Sequence, residues 1–168
     1  MACTTITAIS KGCDNNRGSI TALYIADQET VTGTTVANGT ITGITMSGAV
    51  TFVTVEFNRN AGNYNEEMAL ELVNGATIWN QTVNLTLPRR EVAKRNSIML
   101  LAEGQRELAL IAKDGNGLYW YFPEMILTAN GGGSGENRAA GSSYTLGFTN
   151  EAQYLAYEVS SAAVTAVI

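Results

Sequence analysis

The sequence predicts a mainly β fold, an antiparallel β-sandwich or barrel with one flanking α-helix at about residues 88–103. Three observations predict it. Several stretches alternate apolar and polar residues with the period of a half-buried strand. Asn-Gly and Asp-Gly turn pairs recur at short intervals between these stretches. A single stretch carries the start and stop signals of a helix.

Taken in order, Ile20 to Ala26 is an apolar run bounded by Gly18 and by Asp27-Gln28-Glu29, and reads as a strand. Thr30 to Thr45 is rich in Thr, Val and Ile, which suit a pleated surface, and Asn38-Gly39 within it marks a hairpin. From Thr51 to Asn58, Val53, Val55 and Phe57 alternate with Thr54, Glu56 and Asn58. Arg59 to Glu67 is polar throughout and reads as a loop too long for a tight turn. Met68 to Val73 alternates again, with Leu70 and Leu72 against Glu71, and Asn74-Gly75 marks the next turn. Thr77 to Leu87 sets Trp79, Val83, Leu85 and Leu87 against Asn80, Thr82, Asn84 and Thr86.

The helix is expected from Pro88 to Glu103. Proline suits a first turn, Glu91 favours the positive end of the dipole, and Gly104 suits the residue just past the end. Ala93, Ile98, Met99, Leu100 and Leu101 make its second half apolar on more than one face, wider than the stripe of an ordinary surface helix. Such a helix is either sandwiched between elements or meets another subunit. Glu107 to Ala112 and Leu118 to Phe122 form a hairpin about Asp114-Gly115-Asn116-Gly117, and Pro123 is expected to end the second strand. Asn130 to Gly135 reads as a glycine-rich loop, and Tyr144 to Thr149 and Gln153 to Val159 as closing strands. Ser160 to Ile168 is small and apolar and is expected to dock on something. No repeat or linker divides the chain, so 1–168 reads as one β domain with 160–168 as a C-terminal arm.

Composition narrows the function. Of the 168 residues 45% are apolar and only 15% charged, against a usual charged share of about 25%. Thr, Asn and Ser supply the polarity instead, and a low-charge β surface is prone to associate. With no histidine at all, Ser-His-Asp and Cys-His nucleophiles, a histidine base and most zinc sites are excluded. A formal charge of -5 argues against general nucleic-acid binding, which needs a basic face. It suits a surface past which DNA must slide without sticking. Cys3 and Cys13 form no C-x-x-C and read as small semi-buried thiols. The first ten residues lack the basic and apolar regions of a signal peptide, and no run is long enough to span a membrane, so a cytoplasmic start is expected.

Motifs for chemistry are absent or bland. Neither Gly-rich stretch is followed by the Lys-Ser/Thr of a phosphate loop. Asp114 and Asn116 match two calcium-loop positions, but Leu118 breaks the pattern. Glu66 and Glu67 are neighbours, which in a strand point to opposite faces, so they do not pair as catalytic carboxylates. Tyr119-Trp120-Tyr121-Phe122 could stack sugars or bases, with one side of the run expected in the core. Arg89, Arg90, Lys94 and Arg95 cluster at the helix start and are expected to pair with acidic residues of a neighbour. The chain is therefore expected to be no enzyme and to need no cofactor or metal.

The order of these elements resembles a family. After the first strands come Leu85-Thr86-Leu87 and the helix Arg90-Glu91-Val92-Ala93-Lys94-Arg95-Asn96. Leu100-Leu101-Ala102-Glu103-Gly104, Leu108 to Ile111, Asp114-Gly115-Asn116-Gly117-Leu118-Tyr119-Trp120 and a Gly-rich stretch before a closing strand follow. This resembles the tail tube (major tail) proteins of tailed bacteriophages, in particular phages of Bacteroidetes bacteria, best from Tyr64 to Phe148. The resemblance implies a structural virion protein in the tail, assembled in the host cytoplasm. It implies that six copies form a ring whose sheets join into a barrel about a lumen, and that rings stack into the conduit for DNA ejection. It implies a tape measure protein, tail terminator and baseplate or tail-tip proteins as partners, a sheath if the tail is contractile, DNA in transit, and no membrane.

On that resemblance, Arg89, Arg90, Lys94, Arg95, Ile98, Met99 and Leu101 are candidates for the subunit interface. Arg59, Asn60, Asn63 and Tyr64 are candidates for ring stacking, and Glu56, Glu71, Asn80, Thr82 and Asn84 for the lumen. The tubes of type VI and other contractile injection systems are the nearest alternative. A capsid decoration or tail-completion protein comes next, and a carbohydrate-binding β-sandwich using Trp120 or Tyr119 is a third class.

Overall fold

The computed structural model describes residues 8–71, 73 and 75–168. Cys3, Leu72, Asn74 and the side chain of Glu71 lie outside what is described. The fold is mainly β with one flanking helix, as the alternation predicts. Ten strands run in the order β1 (Ile20–Asp27), β2 (Val31–Ala37), β3 (Thr40–Met46), β4 (Val53–Val55), β5 (Gly62–Glu71), β6 (Ala76–Pro88), β7 (Leu108–Asp114), β8 (Tyr119–Gly133), β9 (Ser143–Ala152) and β10 (Tyr157–Val159). The helix α1 (Val92–Ala102) lies between β6 and β7, and a short helix α2 (Ser161–Thr165) follows β10.

The strands form two sheets that share β8. The first has the order β2-β3-β10-β8-β7-β1-β4, and the second β5-β6-β9-β8. All pairings are antiparallel except that of β10 with β3. The passage of β8 between sheets happens at Pro123-Glu124. Before it, Phe122 pairs with Leu110; after it, Met125 pairs with Leu108, so two residues face one, a bulge with one extra residue. Pro123 has no N–H to lose from the ladder, and Glu124 takes φ +54°. The groups freed there are re-satisfied by side chains. Glu124 N donates to Gln28 Oε1 at 3.1 Å, and Asn150 Nδ2 donates to the Pro123 carbonyl at 2.9 Å. Pro123 therefore bends the strand rather than ending it.

From Ile126 onward β8 pairs with β9 as far as Gly133, so the expected loop at Asn130 to Gly135 is mostly strand. Its glycines serve close approach. A Cβ on Gly132 would lie 2.7 Å from the Ser143 carbonyl oxygen, and one on Gly131 2.7 Å from Thr145 Oγ1.

Between the sheets lies the first core, with Leu23, Val83, Leu85, Leu110, Phe122 and Phe148 fully enclosed and Ile98 of α1 capping it. Each such side chain is worth about 1.5–3 kcal/mol on burial. The far face of the first sheet is also covered. There Ile41, Phe52, Ile111, Tyr121 and Val159 pack against Ala163, Val164 and Val167. The C-terminal residues thus dock on the chain's own sheet instead of extending as an arm. Ser160 accepts from Ala163 N to cap α2, and Phe52 N donates to the Val167 carbonyl at 2.8 Å.

Three further expectations change. Arg59 to Glu67 is not a loop, since β5 begins at Gly62 and pairs with β6 over its whole length. The helix begins at Val92, because Pro88 closes β6 opposite Ser143 and Arg89 turns at φ +58°. Cys13 is exposed rather than half-buried. The Asn38-Gly39 hairpin forms as expected, with both residues at positive φ and Ala37 paired to Thr40.

Candidate functional site

The outer face of the second sheet is the surface that stands out. In β5, β6 and β9 the side chains alternate about the sheet, and register rows run straight across it. Asn63 pairs with Asn84, which pairs with Gly147; Asn65 with Thr82 and Thr149; Glu67 with Asn80 and Glu151. Asn63, Asn65, Glu67, Asn80, Asn84 and Glu151 are exposed, and Thr82 is half-buried. The opposite parity, Val83, Leu85, Leu87, Leu146 and Phe148, is core.

The charge on this sheet has one sign. None of β5, β6, β9 or the 126–133 half of β8 contains Lys or Arg, while Glu66, Glu67, Glu71 and Glu151 are acidic. Asn65 Nδ2 donates to Glu67 Oε1 at 2.8 Å and holds that carboxylate on the wet face. Glu66, of the opposite parity, turns inward as the alternation requires. Its Oε1 accepts from Gln81 Nε2 at 2.9 Å and from Ala156 N at 2.7 Å. Gln81 is buried, and its Oε1 has no donor among the described residues.

Among the described residues neither outer edge of this sheet has a strand partner, although Ser19 Oγ donates to the Gly62 carbonyl at 2.9 Å at one end of β5. β5 pairs only with β6, and β8 beyond Ile126 pairs only with β9. An open edge is a row of unpaired N–H and C=O groups that invites another strand.

Of the lumen candidates, Asn80, Thr82 and Asn84 share this face. Glu71 occupies a register position opposite Ala76. Glu56 does not belong with them, because it follows β4 in the first sheet. Glu67 and Glu151 complete the face and were missed. Reading Arg59 to Glu67 as a loop hid the parity that places Glu67 beside Asn80.

The helix candidates divide. Ile98 is buried in the first core, and Leu101 is half-buried against that core. Met99 and Leu100 are half-exposed and Val92 more so. Arg89 Nε pairs with Glu91 at 3.1 Å, Lys94 Nζ donates to the Pro88 carbonyl at 2.6 Å, and the Arg90 guanidinium sits 4.9 Å over the Tyr144 ring. These cations are engaged within the chain. Arg95 makes no ion pair among the described residues and bonds only Asn96, at 3.2 Å. Between α1 and the β4 edge runs an apolar groove of about 560 Å³, lined by Val53, Val55, Leu87, Ile98 and Leu101.

Of the stacking candidates, Arg59 and Asn60 form an exposed turn, with Asn60 at φ +62°. Asn63 and Tyr64 lie in β5, and the Tyr64 ring stands 5.5 Å from Phe122. Burial and the nearby Asp114 and Glu66 carboxylates raise the Tyr64 pKa. A more prominent projection is the β2–β3 hairpin, where every residue of β2 after Val31 is exposed.

Trp120 offers no sugar platform. It packs on the first core and donates from Nε1 to Asp114 Oδ2 at 3.2 Å. Tyr121, on the other parity, is buried in the second core, because the first sheet is covered on both faces. Asp114 Oδ1 accepts from Asn116 N and Leu118 N at 2.8 and 2.9 Å, so the Asp-Gly-Asn-Gly stretch is a hairpin turn. Among the described residues no cluster of three or more His, Cys, Asp or Glu could hold a metal ion, and no helix is long and apolar enough to cross a membrane.

Comparison with family models, curated proteins and solved structures finds no match.

Proposed function

We propose that this chain is the subunit of a hollow tube, the tail tube protein of a tailed bacteriophage. Its second sheet lines the lumen through which DNA passes. The observation that carries this reading is that sheet: a polar face with no cation in any of its strands and, among the described residues, no strand paired to either outer edge. Edge-to-edge pairing of β5 with the 126–133 half of β8 in the next copy would satisfy both edges at once. Head-to-tail contacts of that kind close into rings when the rotation per copy divides the circle. A lumen without Lys or Arg offers no cation to take the place of the phosphates' counterions, so DNA slides.

On this reading the exposed side of α1, with Val92, Met99 and Leu100, packs against the adjacent subunit. The β2–β3 hairpin and the Arg59-Asn60 turn reach the next ring. The partners are further copies of the chain, a tape measure protein that templates the length, and end-capping tail proteins.

The test is negative-stain electron microscopy of the purified protein with light scattering alongside. Rings or stacked tubes with an open lumen are the expected result. Protein that stays monomeric at high concentration overturns the reading.

A further inference from the structure

Three Asn-Gly pairs fall among the described residues, and the fold treats them differently. Asn116-Gly117 is pinned. Arg17 N donates to Asn116 Oδ1 at 2.7 Å, and Asn116 Nδ2 donates to Asn16 Oδ1 at 3.1 Å. Gly117 N donates to the Asp114 carbonyl at 3.1 Å. Asn130-Gly131 is held extended within β8, in register with Leu146 and Thr145. Asn38-Gly39 has none of these restraints. It forms the two-residue tip of the β2–β3 hairpin and is exposed. Among the described residues neither the Asn38 side chain nor Gly39 N has a hydrogen-bond partner.

We propose that Asn38 is a site of spontaneous deamidation, and that the fold protects Asn116 and Asn130 from the same reaction. In the first step Gly39 N gives its proton to solvent base and attacks the Asn38 side-chain carbonyl carbon. The new C–N bond closes a five-membered succinimide, and the bond to the amide nitrogen breaks to release ammonia. Water then opens the ring at either carbonyl. One opening gives aspartate, and the other gives isoaspartate with the chain rerouted through the side chain. The sum is one water consumed and one ammonia released, with no change of oxidation state.

Among the described Asn-Gly pairs, three requirements are met together only at this tip. The attacking nitrogen is unbonded. The side-chain amide is exposed and has no hydrogen bond to break among the described residues. The following residue is glycine, so no Cβ hinders approach, and the space beside it is open. Asn116 must first break two side-chain bonds and one backbone bond. Breaking these ordinary hydrogen bonds slows its reaction by about tenfold or more.

The product adds a negative charge at the tip, and the isoaspartate form adds a backbone atom to a two-residue turn. A turn of that kind fixes the register of its strands through its length. The β2–β3 hairpin of aged protein is therefore altered at its end, while the two cores are untouched.

The experiment is peptide mapping by mass spectrometry on the full chain, incubated folded at mildly alkaline pH. A parallel sample is held in denaturant. In the folded sample the peptide carrying Asn38 converts first, with isoaspartate the larger product, while those carrying Asn116 and Asn130 lag by about tenfold or more. In denaturant the three convert at similar rates. Asn16→Ala, which removes one restraint on a surface side chain, speeds conversion of Asn116 without changing that of Asn38. The proposal is overturned if Asn38 stays intact in the folded protein while it reacts in denaturant, or if Asn116 converts as fast as Asn38 when folded.

Discussion

Asp114 shows how much one side chain can organise. It is nearly buried, and its two oxygens accept from Asn116 N, Leu118 N and Trp120 Nε1. Removing it leaves two turn amides and an indole N–H short of an acceptor. Asp114→Ala should cost roughly 3 kcal/mol, since hydrogen bonds to a charged acceptor are worth about 1.5–3 each and Trp120 loses its anchor. Urea unfolding, with Trp fluorescence as the probe, measures it. An effect below about 1 kcal/mol would mean that water replaces the carboxylate.

Tyr121 makes a different residue-scale prediction. Burial in the second core pushes its pKa up to about 12 from 10.0, with Glu124 adding to the rise and a hydrogen bond from Gln28 opposing it. Above pH 10 the unfolded chain gives up this proton and the folded chain keeps it. Rising pH therefore favours unfolding, and the stability is lost between about pH 10 and 12, by about 3 kcal/mol in all. Thermal melts across that window should fall less steeply for Tyr121→Phe. Identical slopes would show that Tyr121 titrates like a free phenol.

At the scale of elements, α2 is the clearest test. Its Val164, with Val167 after it, closes the second core over Ile41, Phe52 and Ile111. A chain lacking residues 160–168 uncovers those side chains and should lose roughly 3–5 kcal/mol, the burial of two valines and their neighbours. Guanidinium unfolding of the shortened chain checks it; unchanged stability would mean that these residues are dispensable to the fold.

Elements also show what the sequence could reveal. β1, the β2–β3 turn and β6 were legible because each follows one simple rule, an apolar run, an Asn-Gly pair or strict alternation. β8 was not. Its signals, Pro123 and three consecutive glycines, are those of strand ends and loops. Here the proline sits in a bulge whose freed groups Gln28 and Asn150 satisfy, and Gly131 and Gly132 let β8 lie close on β9. Both facts depend on partners far away in the chain. β5 was hidden for a related reason: its inward Glu66 is polar, and becomes a core-facing position only when Gln81 and Ala156 N bond to it. α1 starts later than Pro88 suggests because the same residue also closes a strand.

For the whole molecule, the question is what the cation-free sheet does when copies assemble. All ten Lys and Arg residues lie outside β5, β6, β9 and the second half of β8. The polar half of this pattern was visible in the alternation of Thr77 to Leu87. The row through Glu67, Asn80 and Glu151 needed the strand pairing. If this face is a lumen, its lack of cations is functional and can be reversed. Asn63→Lys with Asn84→Lys puts two cations on one cross-strand row, both on exposed positions where the fold tolerates a long side chain. The variant should unfold within about 0.5 kcal/mol of the parent and form the same tubes. Each added lysine repeated around a ring multiplies the phosphate contacts, and affinity then falls steeply with salt, by a slope of about one per contact. Filter binding of short duplex DNA to preassembled tubes should show none for the parent at low salt. The variant should show strong, salt-sensitive retention. Equal retention by both would place this sheet on the outside of the tube, and DNA transit would then have to run along another face.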